Sequence, residues 1–225
     1  DMKESVQPAD SLRMGGLLAA IGGFLDSYTY IARGGVFANA QTGNLVLLGL
    51  RLAEGRWLAA LTSLTPILAF VLGVVVAEGL RLRFWLRPGE RPRPRLRWLR
   101  SLLAAEGAVL LAVGFVPLGC CDLAVNSAVS FVCAMQVQGF RTLRGSPYAT
   151  TMCTGNLRSG TDALLESLRT GEKAPLRTAG RYFAVIGIFL LGAVEGGFAT
   201  HFLGAQASLV CVAALALGMA LLRLE

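Results

Sequence analysis

Charge is scarce in this sequence. Asp, Glu, Lys and Arg make up 16% of its 225 residues, against about 25% in a soluble domain. Too little polar surface remains to cover an ordinary water-soluble core. Histidine is scarcer still. His201 stands alone, which removes imidazole clusters as metal ligands or general bases. The five cysteines, at 120, 121, 133, 153 and 211, form no C-x-x-C pair and no zinc spacing. They read as small apolar packing residues, and adjacent Cys120 and Cys121 predict no disulfide. The metalloprotease, nucleophile-elbow and P-loop patterns are missing as well. The expectation is a protein that is not an enzyme, with no catalytic residue, metal or cofactor. The ten-residue alternating segments of a membrane β-barrel are also lacking.

What the chain has is apolar length. It is 54% hydrophobic, and six runs approach or exceed the roughly 18 residues that cross a bilayer core of about 30 Å. They are Met14–Ala32, Trp57–Leu80, Leu99–Val116, Leu123–Phe140, Tyr182–Phe202 and Leu203–Leu222. The reading is an all-α polytopic membrane protein, one membrane domain over 1–225 with a polar tail at 1–12. Phe37-Ala-Asn-Ala40 resembles a signal cleavage site. The run before it holds Asp26 and outlasts a usual signal core, so it reads as a retained helix.

The net charge of +7 does not point to nucleic acid, because the basic residues sit in the gaps between runs. Eight Arg lie in 81–100 and seven Lys or Arg in 141–181, while 117–122 holds none. Cytoplasmic loops collect such residues. With both basic loops inside, the two ends are cytoplasmic too, and only Arg33, Arg51 and Arg56 fall outside. The Pro- and Arg-rich stretch 87–98 reads as a cytoplasmic linker, with anionic lipid headgroups as a weaker partner.

Thr-Gly-Asn-Leu occurs twice, at Thr42–Leu45 and at Thr154–Leu157. Leu72-Gly73 before Glu78-Gly79 is similarly echoed by Leu191-Gly192 before Glu195-Gly196. The order of elements matches: a span, TGN, a long span, a closing span. This predicts two three-helix repeats, 13–116 and 120–225, each with a short TGN-led helix. Three crossings per unit insert the second unit upside down, the inverted plan of many transporters. Thr42 is the expected N-cap of a half-helix with Gly43 allowing close approach, and helix N-termini attract polar ligands. Thr154, Gly155 and Asn156 lead a more amphipathic segment, whose Leu157, Leu164, Leu165 and Leu168 suit an interfacial helix. A plain capped turn explains TGN equally well.

Ionisable groups inside spans are costly and mark function. Asp26 is the deepest, surrounded by Ser27, Tyr28, Thr29 and Tyr30. It reads as a cation, proton or hydrogen-bond site, or else as a buried acid satisfied by a neighbour such as Arg33. Gln138 falls near the matching place in the second unit. Glu195 sits within Gly192-Ala-Val-Glu-Gly196 with no basic neighbour, whereas Glu78 suits an ion pair with Arg81 or Arg83. Glu106 is ambiguous. The candidate path residues are Asp26, Tyr30, Thr42, Gly43, Asn44, Gln138, Thr154, Gly155, Asn156 and Glu195. Gly15, Ala19 and Gly23, with Gly192 and Gly196, would suit helix packing or a homodimer.

The stretch Gly22–Leu50, with G-F-L-D-S-Y and V-F-A-N-A-Q-T-G-N-L-V-L-L-G, resembles the YoaK-like family of bacterial multi-pass membrane proteins, long labelled a domain of unknown function. The resemblance extends along the chain, including the weaker second TGN. It implies a bacterial cytoplasmic-membrane protein of about six spans and names no substrate. The functional expectation is a small transporter or channel for a small polar or charged solute. The alternative is a membrane scaffold or sensor that moves nothing.

Overall fold

The computed structural model describes residues 11–85, 93–143, 146–147 and 153–222. Among them are eight α-helices: α1 Leu12–Ala32, α2 Gln41–Ala53, α3 Trp57–Trp85, α4 Arg93–Val113, α5 Asp122–Gly139, α6 Cys153–Thr170, α7 Lys173–Leu203 and α8 Ser208–Leu221. A 3-10 turn, Gly204–Ala207, separates α7 from α8. Among the described residues the one ladder is a two-residue antiparallel pairing of Thr142–Leu143 with Ser146–Pro147.

Each predicted run is a helix, and each TGN opens a further one, α2 of 13 residues and α6 of 18; the expected short helix holds for the first TGN alone. Two stretches among the described residues, Trp57–Arg83 and Lys173–Leu221, are long and apolar enough to cross a membrane by length and composition. The other runs carry more polar residues: α1 holds Asp26-Ser-Tyr-Thr-Tyr30, and α4 begins at Arg93 within the expected linker. Pro94 falls in the first turn of α4, where a missing N–H removes no intrahelical bond. Residues 87–92 of that linker lie outside the described residues.

Local chemistry sets several boundaries. Ser11 caps α1, its hydroxyl accepting from the Met14 N–H at 3.2 Å. The chain reverses after α2 at Gly55 and after α6 at Gly171, with φ of +70° and +73°. Glycine enters that region without the Cβ penalty of other residues. Arg51 then ties the end of α2 to the start of α3, donating to the Ala59 carbonyl at 3.0 Å and the Ser63 hydroxyl at 2.7 Å.

Two parallel pairs form the centre. Along α1 and α7 the contacts rise together: Gly16 with Ile188, Ala20 with Gly192, Phe24 with Gly196. Along α3 and α5 they also rise together: Gly73 with Phe131, Glu78 with Gln138. Backbones touch at both crossings. A Cβ on Gly192 would lie 2.1 Å from the Ala20 carbonyl oxygen, and one on Gly73 2.2 Å from that of Phe131. The small-residue faces that suggested a homodimer, Gly23 with Gly192 and Gly196, are therefore occupied within the chain.

Helices α4 and α8 pack antiparallel. The Ser208 hydroxyl donates to the Leu110 carbonyl at 3.0 Å, and Arg100 donates to that of Leu222 at 2.8 Å. The apolar core joins α1, α4, α5 and α8 through Leu18, Leu25, Leu99, Leu103, Leu110, Val129 and Leu215. Outward faces are apolar as well: Leu68, Val71, Leu72 and Val75 on α3, and Leu190, Leu191, Phe198 and Phe202 on α7 are exposed.

Candidate functional site

The site begins where α1 ends. Beyond Ala32 the chain turns through Gly34 and Gly35, both at positive φ, and runs back along the helix. The Asn39 N–H donates to Oδ1 of Asp26 at 2.6 Å, and the Ala40 N–H reaches the same oxygen at 3.4 Å. The Asn39 side-chain amide donates to the Gly22 carbonyl at 3.3 Å. Asp26 stands six residues before the end of α1, so at 1.5 Å per residue the chain has re-entered by roughly 9 Å. Helix α2 starts from that depth.

This overturns one expectation. Thr42 does not cap α2. Ala40 is the N-cap residue, without a side-chain capping bond. The Asp26 carboxylate, reaching across from α1, takes backbone N–H groups at that terminus instead. An acid beside a helix N-terminus is the favourable sign for the helix dipole.

Asn44 holds the returning loop shut. Its Oδ1 accepts from the Phe37 N–H at 2.9 Å. Its Nδ2 donates to the Phe37 carbonyl at 2.8 Å and to Oε1 of Gln41 at 3.0 Å. Gly43 lies under the Phe37 ring, where a Cβ would meet it at 2.9 Å. The opposite face of this corner is a stack of Tyr30 on Phe37, centroids 4.9 Å apart. The first TGN thus works as a unit: Thr42 stays exposed, Gly43 admits the ring, Asn44 staples the loop.

The second TGN opens α6. Asn156 is buried, as are Gly160 and Ser167 on the same helix. Gly160 packs on Tyr182 and Phe183 of α7. The leucine face is turned away: Leu157, Leu165 and Leu168 are exposed.

The starts of α2 and α6 converge on one cavity of about 600 Å³. Asp26, Tyr30 and Asn39 line it on the α1 side, Gln41 and Thr42 at the start of α2, and Cys153, Thr154 and Gly155 at the start of α6. Phe70 of α3, Val137 of α5, and Phe189 and Ala193 of α7 complete the wall. Among the lining residues there is one carboxyl and no Lys, Arg or His. Chemically this is a mostly apolar chamber with hydroxyl, thiol, amide and carboxyl groups at its polar end. It accepts hydrogen bonds at Asp26 and Tyr30 and takes donors or acceptors at Thr42 and Thr154.

Five of the ten expected path residues line the cavity: Asp26, Tyr30, Thr42, Thr154 and Gly155. Gly43 and Asn44 support the loop beside it through packing and hydrogen bonds, and Asn156 is buried on α6 without lining it. Gln138 points elsewhere, donating to Oε2 of Glu78 at 3.0 Å beside the Glu78–Arg81 ion pair. Glu195 is exposed on α7 and does not line the cavity. Helix register explains the difference: Gly192 and Gly196 of that helix are buried against α1.

Arg33 does not pair with Asp26. It is fully buried and donates to the Tyr28 hydroxyl at 2.9 Å, Asp122 Oδ1 at 3.1 Å, and the carbonyls of Val116 and Pro117 at 2.7 and 3.0 Å. A guanidinium fits this role because its several N–H groups satisfy many acceptors at once. It joins the end of α4 to the start of α5.

The sequence reading missed Asn39, Gln41, Phe70, Val137, Cys153 and Phe189. A signal existed for some. Phe70 and Phe189 each stand three residues before the repeat-related Gly73 and Gly192, on the turn that faces the same centre.

A stretch of 61 residues is 38% identical to the UPF0700 transmembrane protein YoaK of Bacillus subtilis (strain 168). The match covers 27% of this chain and 27% of that protein. No solved structure matches the chain. The sequence model of the protein family of unknown function DUF1275 matches residues 14–222, nearly the whole length, and the chain belongs to that family.

Proposed function

We propose that this protein is a membrane-embedded, non-enzymatic permease or channel for a small polar or cationic solute. The 600 Å³ cavity between the starts of α2 and α6 carries the reading. Its volume falls within the roughly 300–1,000 Å³ of small-molecule sites. In the proposed arrangement six helical runs cross a bacterial inner membrane with both ends cytoplasmic, α2 is a half-helix entering from one face, and the amphipathic α6 lies toward the other.

The inverted repeat is part of this proposal. Its support is positional. Lining residues fall in pairs: Thr42 with Thr154, Phe70 with Phe189, and Asp26 with Val137, each pair on corresponding helices. The two parallel contacts, α1 with α7 and α3 with α5, exchange under the same correspondence. A cavity on such an axis is open to alternate exposure by rocking one half against the other. Asp26 without a cationic neighbour in the wall favours a solute that donates hydrogen bonds or carries positive charge. A scaffold would favour a centre filled by side chains, which is why the cavity supports the path.

The test is flux. Liposomes bearing the full chain are screened with small polar and cationic solutes, beside Asp26→Asn and Thr154→Phe. The reading expects at least one solute to enter and both substitutions to reduce entry to background. A screen in which nothing enters, or in which both variants match the wild type, removes it.

A further inference from the structure

The polar groups of the cavity are unevenly committed. The Asn39 side-chain amide donates to the Gly22 carbonyl. Gln41 donates to the Ala38 carbonyl and accepts from Asn44. Both amides are spent inside the protein. The backbone N–H groups of Asn39 and Ala40 turn to Oδ1 of Asp26, so they answer that carboxylate rather than a solute anion. Since both bonds end on Oδ1 and Asp26 lines the cavity, Oδ2 is the carboxylate oxygen left to a solute. Beside it stand the hydroxyls of Ser27, Tyr30, Thr42 and Thr154.

The rest of the wall is apolar and largely aromatic. Tyr30 of α1, Phe37 of the returning loop, Phe70 of α3 and Phe189 of α7 all line it. Phe37 is held between Tyr30, stacked at 4.9 Å, and Gly43. Tyr30 is half-exposed and keeps its outer ring face. Aromatic faces attract cations, ammonium groups above all.

These features narrow the solute. A bare metal ion needs several oxygens closing at about 2.0–2.6 Å. A chamber of about 600 Å³ with one carboxyl is no such cage, and no group of three or more His, Cys, Asp or Glu suited to a metal occurs among the described residues. A sugar would leave most of its hydroxyls unpaired against the aromatic wall, and each such loss is costly. An anion would meet the Asp26 carboxyl with no Lys, Arg or His among the lining residues.

We propose that the cavity binds a monovalent organic ammonium with an apolar or aromatic body. Its N–H donates to Oδ2 of Asp26, and its body lies among Tyr30, Phe70 and Phe189. This deepens the permease reading and rests on it for the ligand's onward movement. The charge-assisted hydrogen bond fixes one end of the ligand. The apolar wall takes the other, the usual division of labour in a small-molecule site.

Isothermal titration calorimetry of the full chain in lipid nanodiscs, with empty nanodiscs as the blank, tests this apart from transport. The probes share one frame: benzylammonium, benzyl alcohol and benzoate, with sodium chloride supplying a bare cation. The expected result is saturable binding of benzylammonium, about tenfold tighter than benzyl alcohol, because only the ammonium forms a charge-assisted bond. Asp26→Asn should weaken the ammonium by about tenfold for the same reason, and Phe189→Leu should weaken it as well. The ranking of probes on the unaltered chain carries the test by itself if a variant misfolds. Benzyl alcohol or benzoate binding as tightly as the ammonium, sodium displacing the ammonium at equal concentration, or full affinity in folded Asp26→Asn overturns the inference. Benzylammonium that binds but does not enter liposomes, in a chain that moves no other solute, retires the permease and leaves the site standing. Entry of another solute through a chain that ignores benzylammonium retires this inference alone.

Discussion

Asn39 reaches Asp26 through its backbone rather than its side chain, at 2.6 Å from N to Oδ1. A loop that has left α1 returns to the depth of that acid, and α2 begins there. This hydrogen bond therefore ties the start of α2 to the middle of α1. Asp26→Leu leaves the Asn39 N–H without its acceptor, which costs about 1–3 kcal/mol. Asp26→Asn keeps one acceptor oxygen and is expected to cost less. Thermal unfolding in detergent micelles should rank wild type above Asp26→Asn above Asp26→Leu.

Asn44 makes three side-chain bonds to the same loop, two to Phe37 and one to Gln41. Asn44→Ala releases the loop and strands a half-buried N–H and carbonyl at Phe37. The expected loss is about 2 kcal/mol, with faster amide exchange at Phe37–Gln41. An unchanged exchange rate there would show that the loop holds its place by other means.

The fully buried Arg33 and its partner Asp122 differ in exposure, 0% against 24% for the side chains. Arg33→Met leaves the Tyr28 hydroxyl, the Asp122 carboxylate and the carbonyls of Val116 and Pro117 without their donor. It should cost about 3–5 kcal/mol. Asp122→Asn retains most of the cage and should cost about 1 kcal/mol. Equal losses from the two variants would contradict the central role given to the guanidinium.

Gly192 meets the backbone of α1 at Ala20. Gly192→Val drives a side chain into a carbonyl that cannot yield, at a cost of about 3 kcal/mol. Gly187, with nothing within 4 Å of its added Cβ, is the control on the same helix, and Gly187→Ala should be neutral or stabilising. Folded yield after purification distinguishes the two.

The proposed opposite insertion of the two repeats has its own check. Glu54, beyond α2, and Glu166, on α6, are both exposed. Changed singly to cysteine in a background lacking the native five, they should label from opposite sides of the membrane. Labelling from the same side would remove the inverted arrangement.

Much of the fold was legible because apolar runs and their punctuation are local. All six runs became helices, and both TGN segments opened further ones, short only in α2. The depth of α2 was not legible. It depends on a backbone hydrogen bond between residues 13 apart, and no side-chain pattern encodes that. The cap was misread for the same reason, since Thr42 is the residue type that caps helices while the acid that serves comes from another helix. Gln138 and Glu195 were misplaced by register. Val137, not its neighbour Gln138, lines the cavity with Asp26, and Gln138 turns to Glu78. Arg33 looked like a partner for Asp26 because they are near in sequence, but its acceptors at Val116, Pro117 and Asp122 arrive from over 80 residues away.

The water-filled nature of the cavity is the claim on which the permease rests, and Cys153 reports on it without adding a group. It is the one cysteine among the lining residues, whereas Cys120 and Cys121 are exposed outside it and Cys133 and Cys211 are buried. In folded chain in liposomes, with Cys120 and Cys121 changed to serine, a charged, lipid-insoluble thiol reagent should modify Cys153, and Thr154→Phe should slow that reaction sharply. A Cys153 that stays unmodified while the exposed thiols of the unaltered chain react at once would contradict an aqueous path through this site.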